Sequence, residues 1–553
     1  MRAAHRVLMR HEPLPQSPLP VPAPNANIVR QSANTGMKRR RQSGPMTASD
    51  LIEDAGESQF LLRFVVPARE LEALEAAVRA EPAHAQRRLS TGFDTADGRL
   101  AARGVFLSLC KRGREWVQVA VATSPDCARL LVHEVDLGVR RHDVVPALLP
   151  HLHDGSEAGA ALRAALGDAM GAEDSESALR ASFAIDAARL AREVTLAGAV
   201  VEMAQVTGMI TTDDASMSFL EFELRLVSGP LDALFTLARE WSIRHGLSLS
   251  VVSNGERGAR LAAGHPDGFP TTATLPEAPF AAGGNFLWAT LDSCLTQILA
   301  NASVVGTGVL DRHVIDQLRD GLERGRTLIA EIAPMVPDLD EAWDPVLKRI
   351  FQELATHHGS AVLRAPLIQE MRAAGLGYAL GTSHPREARS PGAIVQDPEF
   401  QLTLLAMLAY RHAPAPPFRP DHGTLKQMRR RLAAELVTRQ ARVADDADSL
   451  RSASNRRRAS RHLDRLYRLA MFAGPLYEAR RVDSFLVRCR VAQDAFAADG
   501  EHRSGLEALE DDGEGGADVK LARRWLAARL VDDRKACESL LRRVGKAAAF
   551  WAA

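Results

Sequence analysis

The sequence predicts an α+β protein with an antiparallel β-tunnel or barrel in its N-terminal half and an all-α double helical bundle in its C-terminal half. Two patterns support this. Between residues 57 and 264, short apolar stretches alternate with turn signals. After residue 273, nearly every stretch has apolar residues at spacings of three and four, as in amphipathic helices. At 553 residues the chain also exceeds what one hydrophobic core supports, so we expect two or three domains.

The expected organisation has four parts. Residues 1–50 are rich in Pro, Ser and Asn and predict a disordered tail. Residues 57–264 predict the barrel domain, residues 273–412 a first helical bundle, and residues 423–550 a second one.

Strand predictions rest on stretches that are rich in Val, Leu and Phe and that partly alternate with polar residues. Helix-like stretches separate some of them. Several meandering strands with few helices are typical of an antiparallel sheet or barrel. The predicted strands are 104–113, 115–123, 129–137, 198–208 and 217–229, with a further strand opening the segment 57–70, and the helix-like stretches are 67–80 and 229–245.

Helix predictions in the second half rest on the spacing of the apolar residues, which places them along one face of each helix. The clearest stretches are 286–302, 314–333, 400–412, 424–444 and 458–474.

Charge and composition exclude some classes of protein. Lys and Arg together number 69, as do Asp and Glu, so the whole chain gives no electrostatic case for an anionic partner. Residues 421–468 carry a local excess of positive charge, with thirteen Lys or Arg against six Asp or Glu.

No apolar run reaches the roughly 18 to 20 residues needed to span a bilayer. The five cysteines show no CxxC spacing, which favours a reducing cytoplasm over a zinc or disulfide framework.

Four stretches occur in the order found in CYTH domains, and the helical region that follows resembles CHAD domains. The resemblance covers roughly residues 57–550 and identifies the fold as a CYTH-like tunnel followed by a CHAD-like bundle. The four stretches are FDTADGRLAARGVFLSL at 93–109, EWVQVAV at 115–121, EFELRLVSGPLDALFTLA at 221–238 and SNGERGARL at 253–261.

The resemblance to CYTH domains implies a tunnel that binds a linear triphosphate through inward Arg and Lys side chains. It also implies that inward carboxylates hold Mg or Mn, hard ions that prefer oxygen ligands. In this chain it assigns phosphate binding to Arg63 and metal binding to Glu202, Glu221 and Glu223.

Other positions depart from the CYTH pattern. Two inward arginines of the family are replaced by Ser108 and Cys110, a Thr and a Lys by Val119 and Val121, an Asp by Val206, a Lys by Asn254 and a Glu by Arg225. Removing one preorganised charge from an active site typically costs about 3 to 4 kcal/mol in the barrier. We therefore expect a degenerate tunnel, with valines lining a dry interior as the simplest structural interpretation.

The resemblance to CHAD domains implies basic helix faces that line a channel for inorganic polyphosphate. In the first bundle it points to Arg319, Arg324 and Arg326, with Asp316 and Glu323 replacing a His and an Arg of the family. We expect Glu323 to pair with Arg319, four residues before it.

In the second bundle, Arg457 matches the family pattern and Arg461 replaces its Lys. With Arg465 and Arg468 they lie at i, i+4, i+8 and i+11, so we expect one basic stripe along a helix.

The function expected from the sequence is binding of inorganic polyphosphate or tripolyphosphate by a cytoplasmic protein, with association to polyphosphate granules implied by the resemblance. Two alternatives remain: a metal-dependent inorganic triphosphatase that hydrolyses tripolyphosphate, and a helical scaffold that binds only protein. No membrane segment is expected. No specific nucleic acid partner is expected either, because no aromatic residues interleave with the basic stripe.

Overall fold

The structure is a computed structural model. It describes residues 58–552 except for 124–127, 141–143, 168–178, 266–269, 275, 277–279, 281, 337–338, 356–364, 377–388, 414–423 and 512–516. The tail predicted for residues 1–50 and the Pro-rich connection between the two predicted bundles lie outside the described residues.

The strands of the N-terminal half form one closed antiparallel barrel. Its order around the barrel is β1-β5-β4-β3-β2-β6-β7-β8, and β8 pairs again with β1, while the short β9 adds to the free side of β1. The predicted barrel is confirmed. The strands are β1 (Ser58–Val65), β2 (His84–Thr95), β3 (Val105–Arg112), β4 (Glu115–Thr123), β5 (Arg129–Val139), β6 (Leu179–Leu196), β7 (Ala199–Thr211), β8 (Ser216–Ser228) and β9 (Ser248–Ser250).

Two long strands of the barrel, β2 and β6, were not among the predicted strands. The sequence of β6 is rich in Ala, Arg and Leu, which favour helices by propensity. It is nevertheless a strand because β2 and β7 pair with it along its length on either side. Tertiary pairing thus overrides local propensity, as is common in sheets.

Helices cover one side of the barrel and form the C-terminal half. The helices predicted there are confirmed as α5, α6, α10, α11 and α12. In the described residues the helices are α1 (Leu71–Arg79), α2 (Glu157–Leu166), α3 (Leu231–His245), α4 (Asn254–Ala262), α5 (Gly283–Gly306), α6 (Arg312–Ile332), α7 (Trp343–Ala355), α8 (Ala365–Ala373), α9 (Pro391–Val395), α10 (Pro398–His412), α11 (Leu425–Asp446), α12 (Ala453–Ala473), α13 (Ala479–Asp511) and α14 (Ala517–Gly545).

Barrel and bundle share one hydrophobic core, which runs from the outer faces of β1 and β8 into α5, α6 and α10. The bundle also covers the exposed edge of β9. Gln401 accepts a hydrogen bond from the backbone N–H of Leu249 at 2.7 Å, and Ser303 accepts one from Val251 at 3.2 Å. These contacts satisfy backbone groups that an open strand edge would leave unpaired. Among the described residues, the helices are too short or too polar to cross a membrane.

Candidate functional site

The barrel interior is lined by side chains at alternate positions of each strand. On β1 the inward face carries Arg63, while Phe64 points outward into the shared core. Arg63 lies opposite Glu223 on β8, and the same face of β8 also carries Glu221 and Arg225. Charged residues of both signs therefore meet inside the barrel.

Two of the inward carboxylates are held by arginines. Glu223 contacts Arg63 at 3.3 Å and Arg189 at 3.8 Å, and Glu202 contacts Arg189 at 2.5 Å and Arg225 at 3.1 Å. Burial acts to raise the pKa of Glu202, but the guanidinium groups of Arg189 and Arg225 outweigh it and hold the pKa at about 2. Glu202 is thus a carboxylate anion over the physiological pH range.

The third carboxylate, Glu221, has no exposed side-chain surface. The helix α4 closes over it: Arg257 approaches Glu221 at 2.7 Å and Asn254 donates to it at 2.9 Å. Ser253 caps α4 by accepting a hydrogen bond from the backbone N–H of Glu256, which fixes the start of this helix. Burial raises the pKa of Glu221 in spite of Arg257.

Three arginines converge on another wall of the interior. Arg88 on β2 lies directly opposite Arg112 on β3, and Gln86 lies opposite Arg189 on β6. Arg112 contacts Glu134 at 2.6 Å, whereas Arg88 donates to Gln86 at 2.8 Å and has no ion pair with any described residue. Burial, together with repulsion from Arg189 and Arg112, lowers the pKa of Arg88. Since like charges directly opposite each other on paired strands repel, this wall attracts an anion.

Four of the positions where the sequence lacks the charges of the CYTH pattern, Ser108, Cys110, Val119 and Val121, lie together on a third wall. Ser108 and Cys110 on β3 pair with Val119 and Val117 on β4. These side chains are uncharged, and the nearest strand on the other side, β5, places Glu134 opposite Val119. The prediction of a dry interior does not extend to the other walls, because arginines that were not predicted as site residues enter from β2, β3, β6 and α4. These are Arg88, Arg112, Arg189 and Arg257.

The predicted metal ligands Glu202, Glu221 and Glu223 are brought together on β7 and β8, but each of them contacts at least one guanidinium group. Within the part of the chain that the structure describes, no group of three or more His, Cys, Asp or Glu side chains is placed to hold a metal ion. Binding of Mg or Mn there stays a prediction.

A second candidate site lies in the helical half. We use the term cleft for the cavity of about 860 Å³ between α6, α7, α11 and α12. Its walls contain charged residues of both signs, and many of them neutralise one another. Arg439 contacts Glu331 at 2.5 Å and Glu435 at 2.8 Å, while Arg326 contacts Asp344 at 2.8 Å.

Four cations in the wall of the cleft have no ion pair among the described residues. Lys348 comes from α7, Arg442 from α11, and Arg461 and Arg465 from α12. All four side chains are exposed. Positive charge is therefore available to a ligand on three sides of the cleft.

The predicted basic stripe on α12 is divided in the structure. Arg457, Arg461 and Arg465 are exposed, and the last two line the cleft. Arg468 turns inward and contacts Glu323 at 2.9 Å. The expected pairing of Glu323 with Arg319 stays a prediction, and Glu323 contacts Arg326 and Arg468.

The three predicted arginines of α6 have different surroundings. Arg324 is 6% exposed and donates hydrogen bonds to Gln297 at 2.6 Å and to Ser293 at 2.7 Å, so its guanidinium holds α5 against α6. Arg326 lies in the wall of the cleft. Arg319 lies over the ring of Phe351 at 4.6 Å, and burial lowers its pKa.

Sequence reasoning missed Lys348 and Arg442 as candidate ligands of the cleft. Arg442 lies within a predicted helix, but the spacing along that helix does not reveal which helices pack beside it. Lys348 belongs to α7, which was not predicted.

Comparison with known protein families gives a match in the helical half. Residues 289–505 match the CHAD domain family, and no curated protein matches the chain. Among solved structures, the chain is similar to the CHAD domain from the plant Ricinus communis, at 20% identity over 51% of this chain and 98% of that chain, with a TM-score of 0.39.

Two further solved structures are similar to a smaller part of the chain. One is a putative adenylyl cyclase from Hippeastrum with a dominant triphosphatase activity, at 15% identity over 37% of this chain and 96% of that one, with a TM-score of 0.27. The other is a putative adenylate cyclase from Bacillus halodurans, at 10% identity over 34% and 91%, with a TM-score of 0.25. Residues 289–505 of this chain thus match the CHAD domain family, and the region before them forms a closed antiparallel barrel that fits the tunnel expected from the sequence.

Proposed function

We propose that this protein binds inorganic polyphosphate in the cleft. The observation that carries the proposal is a set of four exposed cations around one cavity that form no ion pair with a described residue: Lys348, Arg442, Arg461 and Arg465. A polyanion with a charge on every phosphate is held mainly by Coulombic attraction to such groups. Because they come from three different helices, they can contact successive phosphates of one chain.

The paired charges of the cleft limit how tightly a polyanion binds. Glu323, Glu331 and Glu435 already neutralise arginines that would otherwise face the ligand. We therefore propose binding of moderate strength, sensitive to salt, by a cytoplasmic protein that associates with polyphosphate granules. We propose binding in the cleft and no hydrolysis there.

Salt dependence tests the proposal. We expect the logarithm of the polyphosphate association constant to fall linearly with the logarithm of the salt concentration, with a slope of about −3 for roughly four phosphate contacts. Fluorescence anisotropy of end-labelled polyphosphate, titrated with the full chain at four KCl concentrations, measures this slope. Absence of binding at low salt, or a slope near zero, would contradict the proposal.

A second candidate function is binding of tripolyphosphate inside the barrel, favoured by the three converging arginines. Arg88 has no ion pair with any described residue, and it faces Arg112 across the sheet. A short phosphate chain would offset this repulsion. Because Glu202, Glu221 and Glu223 already contact arginines, we propose binding with little or no turnover.

The variant Arg88→Ala is expected to weaken tripolyphosphate binding about 10-fold or more, because a charge-assisted hydrogen bond is lost. Isothermal titration calorimetry measures the change. The matched control is Arg87→Ala, because Arg87 is the neighbouring exposed arginine and points to Asp186 at 2.5 Å. Equal effects of the two variants would contradict binding at this wall. Rapid phosphate release with Mg or Mn by the unaltered chain, abolished in Glu221→Gln, would favour a triphosphatase instead.

A further inference from the structure

A second cavity adjoins the cleft. We use the term α12–α13 pocket for this cavity of about 500 Å³, which lies between α6, α12 and α13. The two cavities share Phe351, Asp464 and Arg468 in their walls. The α12–α13 pocket differs from the cleft in its charge, because its wall contains four arginines and five carboxylates. An excess of negative charge makes this cavity a poor site for polyphosphate.

Most charged groups in the pocket wall contact one another, and Arg312, for example, contacts both Asp316 and Glu501. Among the described residues, Asp464 on α12 has no ion pair, and neither do the exposed Arg490 and Asp494 on α13. Asp464 and Arg490 supply one charge of each sign to the same cavity.

Asp464 belongs to a polar bridge between α12 and α13. The side-chain amide of Gln493 donates to Asp464 Oδ1 at 2.7 Å. Gln493 Oε1 is buried and accepts no hydrogen bond from the part of the chain that the structure describes. A buried carbonyl oxygen without a donor costs free energy, and here it lies beside a carboxylate. An ammonium group would donate to both acceptors. Burial raises the pKa of Asp464 in spite of the nearby guanidinium group of Arg468.

Arg490 forms a second bridge between the same two helices. It donates to the hydroxyl of Tyr467 at 2.6 Å, and its guanidinium lies over the Tyr467 ring at 5.0 Å. Tyr467 follows Asp464 by three residues, and Gln493 follows Arg490 by three. Residues three apart on a helix are neighbours, about 5 to 6 Å apart at Cβ. The cationic bridge thus lies about one helical turn from the anionic one.

A glycine in the middle of α13 keeps the pocket open. Gly500 lines the pocket, and a Cβ added there would have no heavy atom within 4 Å. Glycine in a helix interior costs about 1 kcal/mol relative to alanine, and no packing contact requires it at this position. Its effect is to leave room beside the two bridges.

We propose that the α12–α13 pocket binds a small zwitterion of the amino-acid type, with its ammonium group on Asp464 and Gln493 and its carboxylate on Arg490. The site is separate from the proposed polyphosphate site and does not depend on it. The groups that would bind the ammonium and the carboxylate lie about one helical turn apart. A four-carbon chain with one charge at each end spans this distance better than an α-amino acid, whose two charged groups are attached to the same carbon.

Three small molecules with four-carbon chains and different terminal charges test how much each charge contributes to binding. We expect 4-aminobutanoate to bind the full chain with a dissociation constant of about 1 mM or tighter, a value within reach of a seven-atom ligand. Butane-1,4-diamine and succinate have the same chain length. The diamine would place an ammonium group against Arg490, and succinate would place a carboxylate against Asp464. Isothermal titration calorimetry without polyphosphate should show at least about 10-fold weaker binding for both.

Two variants test the position of the ligand. Asp464→Asn is expected to weaken 4-aminobutanoate about 10- to 100-fold, because a charged hydrogen bond is lost. Gly500→Leu fills the pocket, so it should abolish binding while the helical content measured by circular dichroism stays the same. Asp483→Asn, which changes an exposed carboxylate elsewhere on α13, serves as the control. The proposal is overturned if no probe binds, if the diamine or succinate binds as well as 4-aminobutanoate, or if Asp464→Asn and Gly500→Leu leave binding unchanged.

Discussion

Replacing Arg461 and Arg465 together by glutamate is expected to weaken polyphosphate binding by about 100-fold or more at physiological salt. Both side chains are exposed in the wall of the cleft and have no ion pair with any described residue. A hydrogen bond to a charged group contributes about 1.5 to 3 kcal/mol, and two such contacts are lost. The introduced carboxylates also repel the ligand, so the slope of affinity against salt should become less negative.

A control variant with the same change in net charge separates the loss of contacts in the cleft from general repulsion between a more negative protein and polyphosphate. Arg480 and Arg488 are exposed on α13 and line neither cavity. Changing both to glutamate is expected to weaken polyphosphate binding less than about threefold, because exposed charges beyond a Debye length are screened. Equal losses for the two double variants, measured by anisotropy titration, would show that the cleft is not the site.

The largest effect on stability is expected from Arg257→Met in the barrel. Glu221 is fully buried, and Arg257 is the cation that approaches it, at 2.7 Å. Removing one partner of a buried ion pair leaves an uncompensated charge, which typically costs about 3 to 5 kcal/mol. The free energy of unfolding at pH 7, measured by urea denaturation, should fall by this amount.

The pH dependence of this loss identifies Glu221 as its cause. Burial already raises the pKa of Glu221 in the folded protein, and loss of Arg257 raises it further. A carboxyl group with a raised folded pKa binds more protons in the folded than in the unfolded state, so its presence lowers stability as the pH rises. The deficit of Arg257→Met should therefore be largest at neutral pH and shrink as the pH falls toward the ordinary glutamate pKa of about 4.3.

The double variant Arg257→Met with Glu221→Gln provides the control, because it removes the buried charge with its partner. It should recover most of the stability at pH 7 and show no such pH dependence. A deficit of the same size in the single and double variants would mean that packing of Arg257, rather than its charge, stabilises the barrel.

The sequence predicted the barrel and five of the bundle helices because their hydrophobic periodicity is clear. It failed at β6, whose Ala- and Arg-rich sequence has helical propensity and becomes a strand only through pairing on both sides. That failure also hid Arg189, which contacts two of the inward glutamates. A residue on an unpredicted strand cannot be assigned to the inside of a barrel.

The resemblance to known families identified several arginines as candidate phosphate-binding residues, but it could not show which other residues surround them. Arg324 and Arg461 both occupied predicted phosphate-binding positions, yet Arg324 is buried between α5 and α6 while Arg461 faces the cleft. The difference depends on which face of each helix is covered by another helix. Pairing of Glu323 with Arg468, from a helix more than a hundred residues away, likewise follows from packing and not from local spacing.

Chemical footprinting of arginine and lysine side chains in the full chain, with and without polyphosphate, tests the central proposal most directly. We expect polyphosphate to slow modification of Lys348, Arg442, Arg461 and Arg465, with no change at the exposed control residues of α13. Mass spectrometry of the modified peptides gives the rate at each residue. Equal rates with and without polyphosphate at these four side chains, or protection confined to the arginines of the barrel interior, would contradict binding in the cleft.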